Sequence, residues 1–346
     1  MENRFNDGRR SAGVIGGGAF GTTLASLLVR NGCDVALWVR EPEVAEEINA
    51  HHRNSRYLPG FDLPQGLRAH TDLATPASSS LILLSVPSKF LRSVARDLAP
   101  LVQPGSAIVH TAKGIEVGTG RRMSEVLVEE IPQARIGVLA GPNLAREIMA
   151  GHPAGAIVAS LDEEVPHAVQ RLFLGSQMRI YRGTDLIGVE VGGAFKNVVA
   201  LAAGAVDGMG LGDNTKALLI TRGLSEMIRY GVRLGADLAT FSGLAGIGDL
   251  ITTCASSLSR NHTVGFRLAR GERLSDVLSD TAHVAEGVTT VAAIHAQMRE
   301  LGLDLHIVHA VHEVLYGDWT PRHAFDWLMA NPPGSEIEFR ATRPSG

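Results

Sequence analysis

The segment Gly16-Gly17-Gly18-Ala19-Phe20-Gly21 fits the pattern G-x-G-x-x-G. In such a turn the first glycine permits a tight bend and the second lets backbone approach a pyrophosphate. The third lets a helix pack closely on a strand. A helix opening there offers unpaired N–H groups and the positive end of its dipole to phosphate. Plain glycine-rich turns also meet the pattern, so context decides: Gly13-Val14-Ile15 reads as a strand leading in, and Thr22 to Arg30 as a helix leading out. The expected ligand is NAD or NADP, held by Gly16, Gly18, Ala19, Phe20 and Gly21. NAD-selective domains place an acidic residue at the end of the second strand to hold the ribose hydroxyls. Here that strand ends in Trp38-Val39-Arg40-Glu41. Arg40 suits a 2′-phosphate and stacking on adenine, while Glu41 can still reach a ribose. NADP is therefore expected to bind at least as well as NAD, with Tyr57 counted among the cofactor contacts.

Removing a hydride from an alcohol requires a base for the hydroxyl proton. The run from Gly188 to Ala200 supplies one: Lys196 is the lone cation of a nearly uncharged helical stretch full of small residues. A glycine inside a helix costs about 1 kcal/mol against alanine, so Gly192 and Gly193 imply that something approaches closely. Desolvation favours the neutral amine and brings a lysine toward a useful pKa. An ordinary surface lysine is the bland alternative. Leu244 to Asp249 sets a carboxylate after a flexible apolar loop, unless Asp249 is a helix N-cap. Ser259-Arg260-Asn261 puts a fork-shaped cation between two hydrogen-bonding side chains, an arrangement suited to phosphate, unless Ser259 is an ordinary cap.

These groups need elements to position them. Val35 to Val39, Leu81 to Val86, Ala107 to His110 and Ile136 to Ala140 are short apolar runs spaced by helix-length segments. Continuous apolar strands alternating with helices predict a doubly wound α/β fold, a parallel sheet of Rossmann type covered on both faces. Ala156 to Ala159 and Met178 to Tyr181 are expected to extend it. Beyond Asp185 strand signals vanish and helical periodicity dominates, as in Thr215 to Leu234 and Thr289 to Leu301. The expected division is a dinucleotide-binding domain over 11–184 and an all-helical catalytic domain over 185–330. Residues 1–10 read as a disordered extension and 331–346 as a flexible tail. The active site then belongs in the cleft beyond the carboxyl ends of the strands.

A length of 346 residues suits two domains, and a net charge of −4 leaves no basic surplus for nucleic acid. Cys33 and Cys254 make neither a disulfide framework nor a metal knuckle, so a reducing, cytoplasmic setting fits. No apolar run is expected to span a membrane.

Taken together the motifs resemble the bacterial NAD(P)-dependent glycerol-3-phosphate dehydrogenase family. The matching segments are the glycine turn, Ser85-Val86-Pro87-Ser88, Lys113-Gly114, Gly141-Pro142, Gly192 to Ala200, Thr221-Arg222-Gly223, Gly246 to Asp249 and Ser259-Arg260-Asn261. They follow the family's order and cover nearly the whole chain. The resemblance implies interconversion of sn-glycerol 3-phosphate and dihydroxyacetone phosphate, supplying phospholipid synthesis. It implies that Lys196 is the general base and that Lys113, Gly141, Asp249, Ser259, Arg260 and Asn261 line the substrate site. Lys113 and Arg260 would also touch the cofactor, with Ala145, Val284 and Glu286 closing over it. Asn143 stands where the family usually has serine or threonine, so its contact has a different reach. Ala19-Phe20 replaces the usual Ser-Trp or Ser-Phe and keeps the aromatic.

Some signals are set aside. His306, His309 and His312 recur at i, i+3 and i+6, but no carboxylate or cysteine pattern completes a metal site, and no metal is expected. His51-His52 reads as solvated, and Cys254 lacks a histidine partner for nucleophilic chemistry. Two other functions remain compatible with the motifs: a dehydrogenase of a hydroxyacid or sugar acid phosphate, and a non-catalytic cofactor sensor. Apolar helices in the second half could support a homodimer.

Overall fold

The computed structural model describes residues 10–279 and 285–332. Val284, most of the expected extension and the tail beyond Pro332 lie outside the described residues. Arg10 is anchored, its guanidinium donating to the Leu172 carbonyl at 3.1 Å.

Eight strands form one sheet: β1 Ser11–Ile15, β2 Asp34–Trp38, β3 Arg68–His70, β4 Leu81–Leu84, β5 Ala107–His110, β6 Arg135–Ala140, β7 Ala154–Ser160 and β8 Met178–Gly183. Their order is β3-β2-β1-β4-β5-β6-β7-β8. Strand order reverses between β1 and β4, which opens the crevice where dinucleotides sit. Successive residues of each central strand point to opposite faces. Val14, Leu37, Leu83 and Val109 pack with Leu24, Leu28 and Val44 on one side. Ile15, Ile82, Leu84 and Ile108 meet Leu91, Ala95 and Val126 on the other. Two covered faces are why these strands read as unbroken apolar runs.

The sheet departs from the expected all-parallel pattern at one seam. β7 runs antiparallel to β6, with Ala140 opposite Ile157, and β8 follows β7 in parallel. β3 escapes the sequence reading because three residues, Arg-Ala-His, carry no strand pattern; its pairing to β2 decides the matter.

After β8 the chain is helical. Asp185 caps the helix Leu186–Gly208, its carboxylate accepting from the Gly188 amide at 2.8 Å. By length and composition this 23-residue helix could cross a membrane, yet 89% of its most apolar window is buried. A helix apolar on every side belongs in the middle of a bundle. Around it pack Gly212–Arg233, Asp249–Ala255, Arg260–Ala269 and Glu286–Glu300. Leu274–Ser279, His306–Tyr316 and Pro321–Ala330 belong to the same helical half.

A buried charge cluster joins this helix to the sheet half. The Glu190 carboxylate accepts from Arg122 Nη1 at 2.6 Å and from the Ser124 amide at 2.7 Å. His110 Nε2 lies 3.2 Å from its other side. Burial alone would raise the Glu190 carboxyl's pKa, but His110 and Arg122 hold it below the usual range. Sequence reasoning passed over Glu190, because nothing local marks a lone glutamate on an apolar helix as paired.

Candidate active site

At the end of β1 the chain turns with Gly16 at φ 119°, a conformation that a side chain would strain. A Cβ on Gly21 would lie 1.9 Å from the Gly16 carbonyl oxygen, so the helix Ala19–Arg30 can start here only with glycine at that position. Gly18 differs: a Cβ there would meet nothing within 4 Å. Its smallness serves no neighbour in the protein, and the helix it precedes has no side-chain cap. Ala19 and Phe20 begin that helix, half-buried against the sheet core. Asn54, which the sequence reading missed, pins the turn from outside. Its amide donates to the Gly17 carbonyl and to Thr22 Oγ1, each at 2.9 Å.

Beyond β2, Arg40 is exposed and donates to Glu41 Oε1 at 2.7 Å. The Tyr57 hydroxyl donates to the same oxygen at 3.0 Å. The three candidates for the adenosine end thus form one hydrogen-bonded group at the strand's carboxyl end. The Arg40 guanidinium lies 5.9 Å from the Phe90 ring centroid.

Lys196, Asp249 and Lys113 meet in the interior. Lys196 Nζ donates to Asp249 Oδ1 and to Thr253 Oγ1, the latter at 2.8 Å. The Thr253 hydroxyl in turn donates to Asp249 Oδ1 at 3.2 Å. Lys113 Nζ donates to Asp249 Oδ2 at 2.7 Å and to the Gly141 carbonyl at 3.2 Å. Burial pushes the Lys196 ammonium down to about 7, with Lys113 adding to that and Asp249 opposing it. Burial alone would raise the Asp249 carboxyl, but its two lysine partners hold it below the usual range. Thr253 was missed, although it stands one helical turn after Asp249 and so shares its face.

The expected flexible loop before Asp249 is ordered. Leu244–Gly248 forms a single π-helical turn, kinked at Gly246, that runs directly into the helix Asp249–Ala255. Such turns recur at functional sites, where they re-aim a side chain. Asp249 is not the N-cap of its helix; Gly248 occupies that place. The close approach expected at Gly192 is made by this turn, since a Cβ on Gly192 would sit 2.3 Å from the Ala245 carbonyl oxygen. Gly193 is under no such pressure: its nearest neighbour, the Lys113 stem, is 3.6 Å away.

The remaining candidates ring this core. Asn143 follows Gly141, and its amide nitrogen and oxygen are both buried with no partner. Ala145 starts the short helix Ala145–Met149 nearby. Ser259 caps Arg260–Ala269, accepting from the His262 amide, so its oxygen has a structural task. Asn261 Oδ1 accepts from the Gly287 amide at 3.0 Å, which leaves the amide nitrogen to donate elsewhere. Arg260 is exposed, within electrostatic reach of Glu286. Glu286 accepts from the Ser88 amide at 2.8 Å, so the helical half reaches the loop after β4. Asn197, also missed, donates to the Lys113 carbonyl at 3.2 Å and ties the two groups together.

A dinucleotide fits these residues. The open Gly18, the uncapped helix start and the unpartnered Asn143 amide are each groups that the protein itself leaves unsatisfied or unfilled. A separate cavity of about 720 Å³ lies among the helices, lined by Leu201, Val206, Leu219, Ile307 and Phe325, and contains none of the candidates.

The chain is similar to known proteins over nearly its whole length. Residues 11–166 match the family described as NAD-dependent glycerol-3-phosphate dehydrogenase N-terminus, and residues 185–326 match its C-terminus. A glycerol-3-phosphate dehydrogenase (NAD(P)+) of Geobacter metallireducens is 47% identical, over 94% of this chain and 98% of its own length. One from Azotobacter vinelandii is 44% identical, over 96% and 98%. The crystal structure of glycerol-3-phosphate dehydrogenase from Coxiella burnetii superposes with a TM-score of 0.89 at 34% identity, covering 93% of this chain and 99% of that one.

Proposed function

The chain belongs to the NAD-dependent glycerol-3-phosphate dehydrogenase family, and from that premise we propose how its own residues divide the work. The reaction interconverts sn-glycerol 3-phosphate and dihydroxyacetone phosphate with NAD or NADP. When bound, the nicotinamide accepts or delivers the hydride at the substrate's C2. Lys196 carries the accompanying proton: as a neutral amine it takes the C2 hydroxyl proton, and as an ammonium it returns one to the ketone. The observation that carries this role is the buried Lys196–Asp249–Thr253 triangle, which aims Nζ and, with burial, brings it to about 7. A base with a pKa near the working pH exchanges protons in both directions.

Asp249 positions both lysines, one on each oxygen. Lys113, the more open of the two, faces the C2 oxygen as charge develops on it. Arg260 and the Asn261 amide nitrogen receive the phosphate, whose binding energy orients the reacting carbon. Asn143 donates to substrate from the Gly141 side. Gly16, Gly18, Ala19, Phe20 and Gly21 seat the pyrophosphate, while Arg40, Glu41 and Tyr57 hold the adenosine end. Ala145 and Glu286 line the cofactor, and NADPH serves at least as well as NADH. The domains divide at 184/185. The two buried free cysteines suit a reducing cytoplasm, and exposed Leu218 and Val232 support a homodimer through the helical half.

The Lys196→Ala variant tests the central role. Turnover with dihydroxyacetone phosphate and NADPH is expected to fall by about 10²–10⁴-fold, the usual weight of a positioned acid–base group. Cofactor affinity, read by NADPH fluorescence, stays within roughly twofold because Lys196 lies outside the glycine turn. Near-normal turnover refutes the assignment.

A further inference from the structure

The histidine series in the last third of the chain was read as lacking a completing carboxylate, but Glu313, directly after His312 in sequence, stands within the cluster. His309 and Glu313 stand one turn apart on His306–Tyr316, and His295 faces them from Glu286–Glu300. One ligand atom from each lies within 4.8 Å of the others, and all three residues are half-buried. His295 Nε2 and His309 Nδ1 are 3.2 Å apart and share a hydrogen bond, which a metal bound to both nitrogens would replace. Two nitrogens bound to one zinc at tetrahedral angles are about 3.4 Å apart, so the pair is already near ligating distance.

The surroundings also hold these groups in place. His312 Nδ1 is 3.0 Å from Glu313 Oε1, and its ring stacks on His295 with centroids 3.7 Å apart. It thereby orients both a nitrogen and an oxygen ligand, as outer partners do in metal sites. Trp319 and Trp327 turn their rings edgewise toward His309, at 5.5 and 5.3 Å, and wall the cluster on that side.

The geometry points to a divalent transition-metal site formed by His295, His309 and Glu313, with water in the fourth position. Two imidazoles and one carboxylate suit Zn²⁺ or Co²⁺, whereas Mg²⁺ and Ca²⁺ want an all-oxygen shell. The site shares no residue with the Lys196–Asp249 cluster. A bound ion would tie together two helices, one of which starts at Glu286 and reaches the loop after β4.

The test uses the full-length enzyme, freed of metal by a chelator and then titrated with CoCl₂ and ZnSO₄. One Co²⁺ per chain is expected, with the intense visible absorption of four-coordinate cobalt, displaced by Zn²⁺. Zn²⁺ is also expected to raise the melting temperature. His295→Ala and His309→Ala should each weaken Zn²⁺ binding by about tenfold or more and remove the spectrum, while turnover and circular dichroism stay unchanged. His306→Ala, which removes a member of the sequence series that lies outside the ligand set, should bind as before. The proposal is overturned by absence of stoichiometric binding, by binding that survives in the His295→Ala/His309→Ala double variant, or by its loss in His306→Ala.

Discussion

The proposed chemistry rests on a few side chains whose partners come from distant segments. Asp249 bonds Lys196 from 53 positions away and Lys113 from 136 away. Residue types marked Lys196 and Asp249 as candidates, since a lone lysine among small residues and a carboxylate after a glycine-rich stretch are unusual, whereas Lys113 entered only through the family resemblance. Their meeting was not legible, because no local pattern encodes it. At the adenosine end the exposed Arg40 guanidinium offers a charge-assisted partner for a 2′-phosphate. Arg40→Ala is expected to raise the KM for NADPH roughly tenfold, in keeping with one lost hydrogen bond to a charged group. The KM for NADH should hardly move. Equal losses with both cofactors in steady-state kinetics would show that Arg40 does not choose between them.

Elements decide whether those residues meet. Strong apolar strands were readable because burial on both faces leaves no polar alternation to confuse. β3 was too short to show a pattern, and the antiparallel seam at β6/β7 was hidden because strand direction leaves no mark on composition. The stretch from Leu244 to Gly248 read as a loop, since two glycines in five residues argue against a helix; packing against Gly192 overrides that preference. Gly192→Ala therefore tests the element itself. Its methyl group would collide with the Ala245 carbonyl and push the turn that delivers Asp249. We expect a loss of roughly 1–3 kcal/mol in stability, the usual cost of overpacking, together with a drop in kcat of tenfold or more. Thermal melts and kinetics on the same preparation separate the two effects. A variant of full activity would mean that the turn has slack to spare.

Across the whole molecule, the two halves are joined by the buried Glu190 cluster and by Glu286 at the Ser88 amide. Glu190→Gln removes the charge that Arg122 and His110 face, at a cost of roughly 3 kcal/mol at neutral pH. The folded-state pKa of Glu190 lies below its unfolded value of 4.5, so its stabilisation is present above that pH. It is lost as pH falls through the folded value. The stability gap between native enzyme and variant, measured by urea titration, should accordingly shrink on acidification below pH 4.5; a gap that widens would place the charge on the wrong side of the account.

The role of Lys196 as proton carrier is tested by the pH dependence of kcat/KM in both directions. Oxidation of glycerol 3-phosphate needs the neutral amine and should rise with pH through about 7. Reduction of dihydroxyacetone phosphate needs the ammonium and should fall through the same value. Opposed profiles with a shared midpoint near 7 are the predicted result; profiles that bend in the same direction, or show no break between about pH 6 and 8, would contradict it.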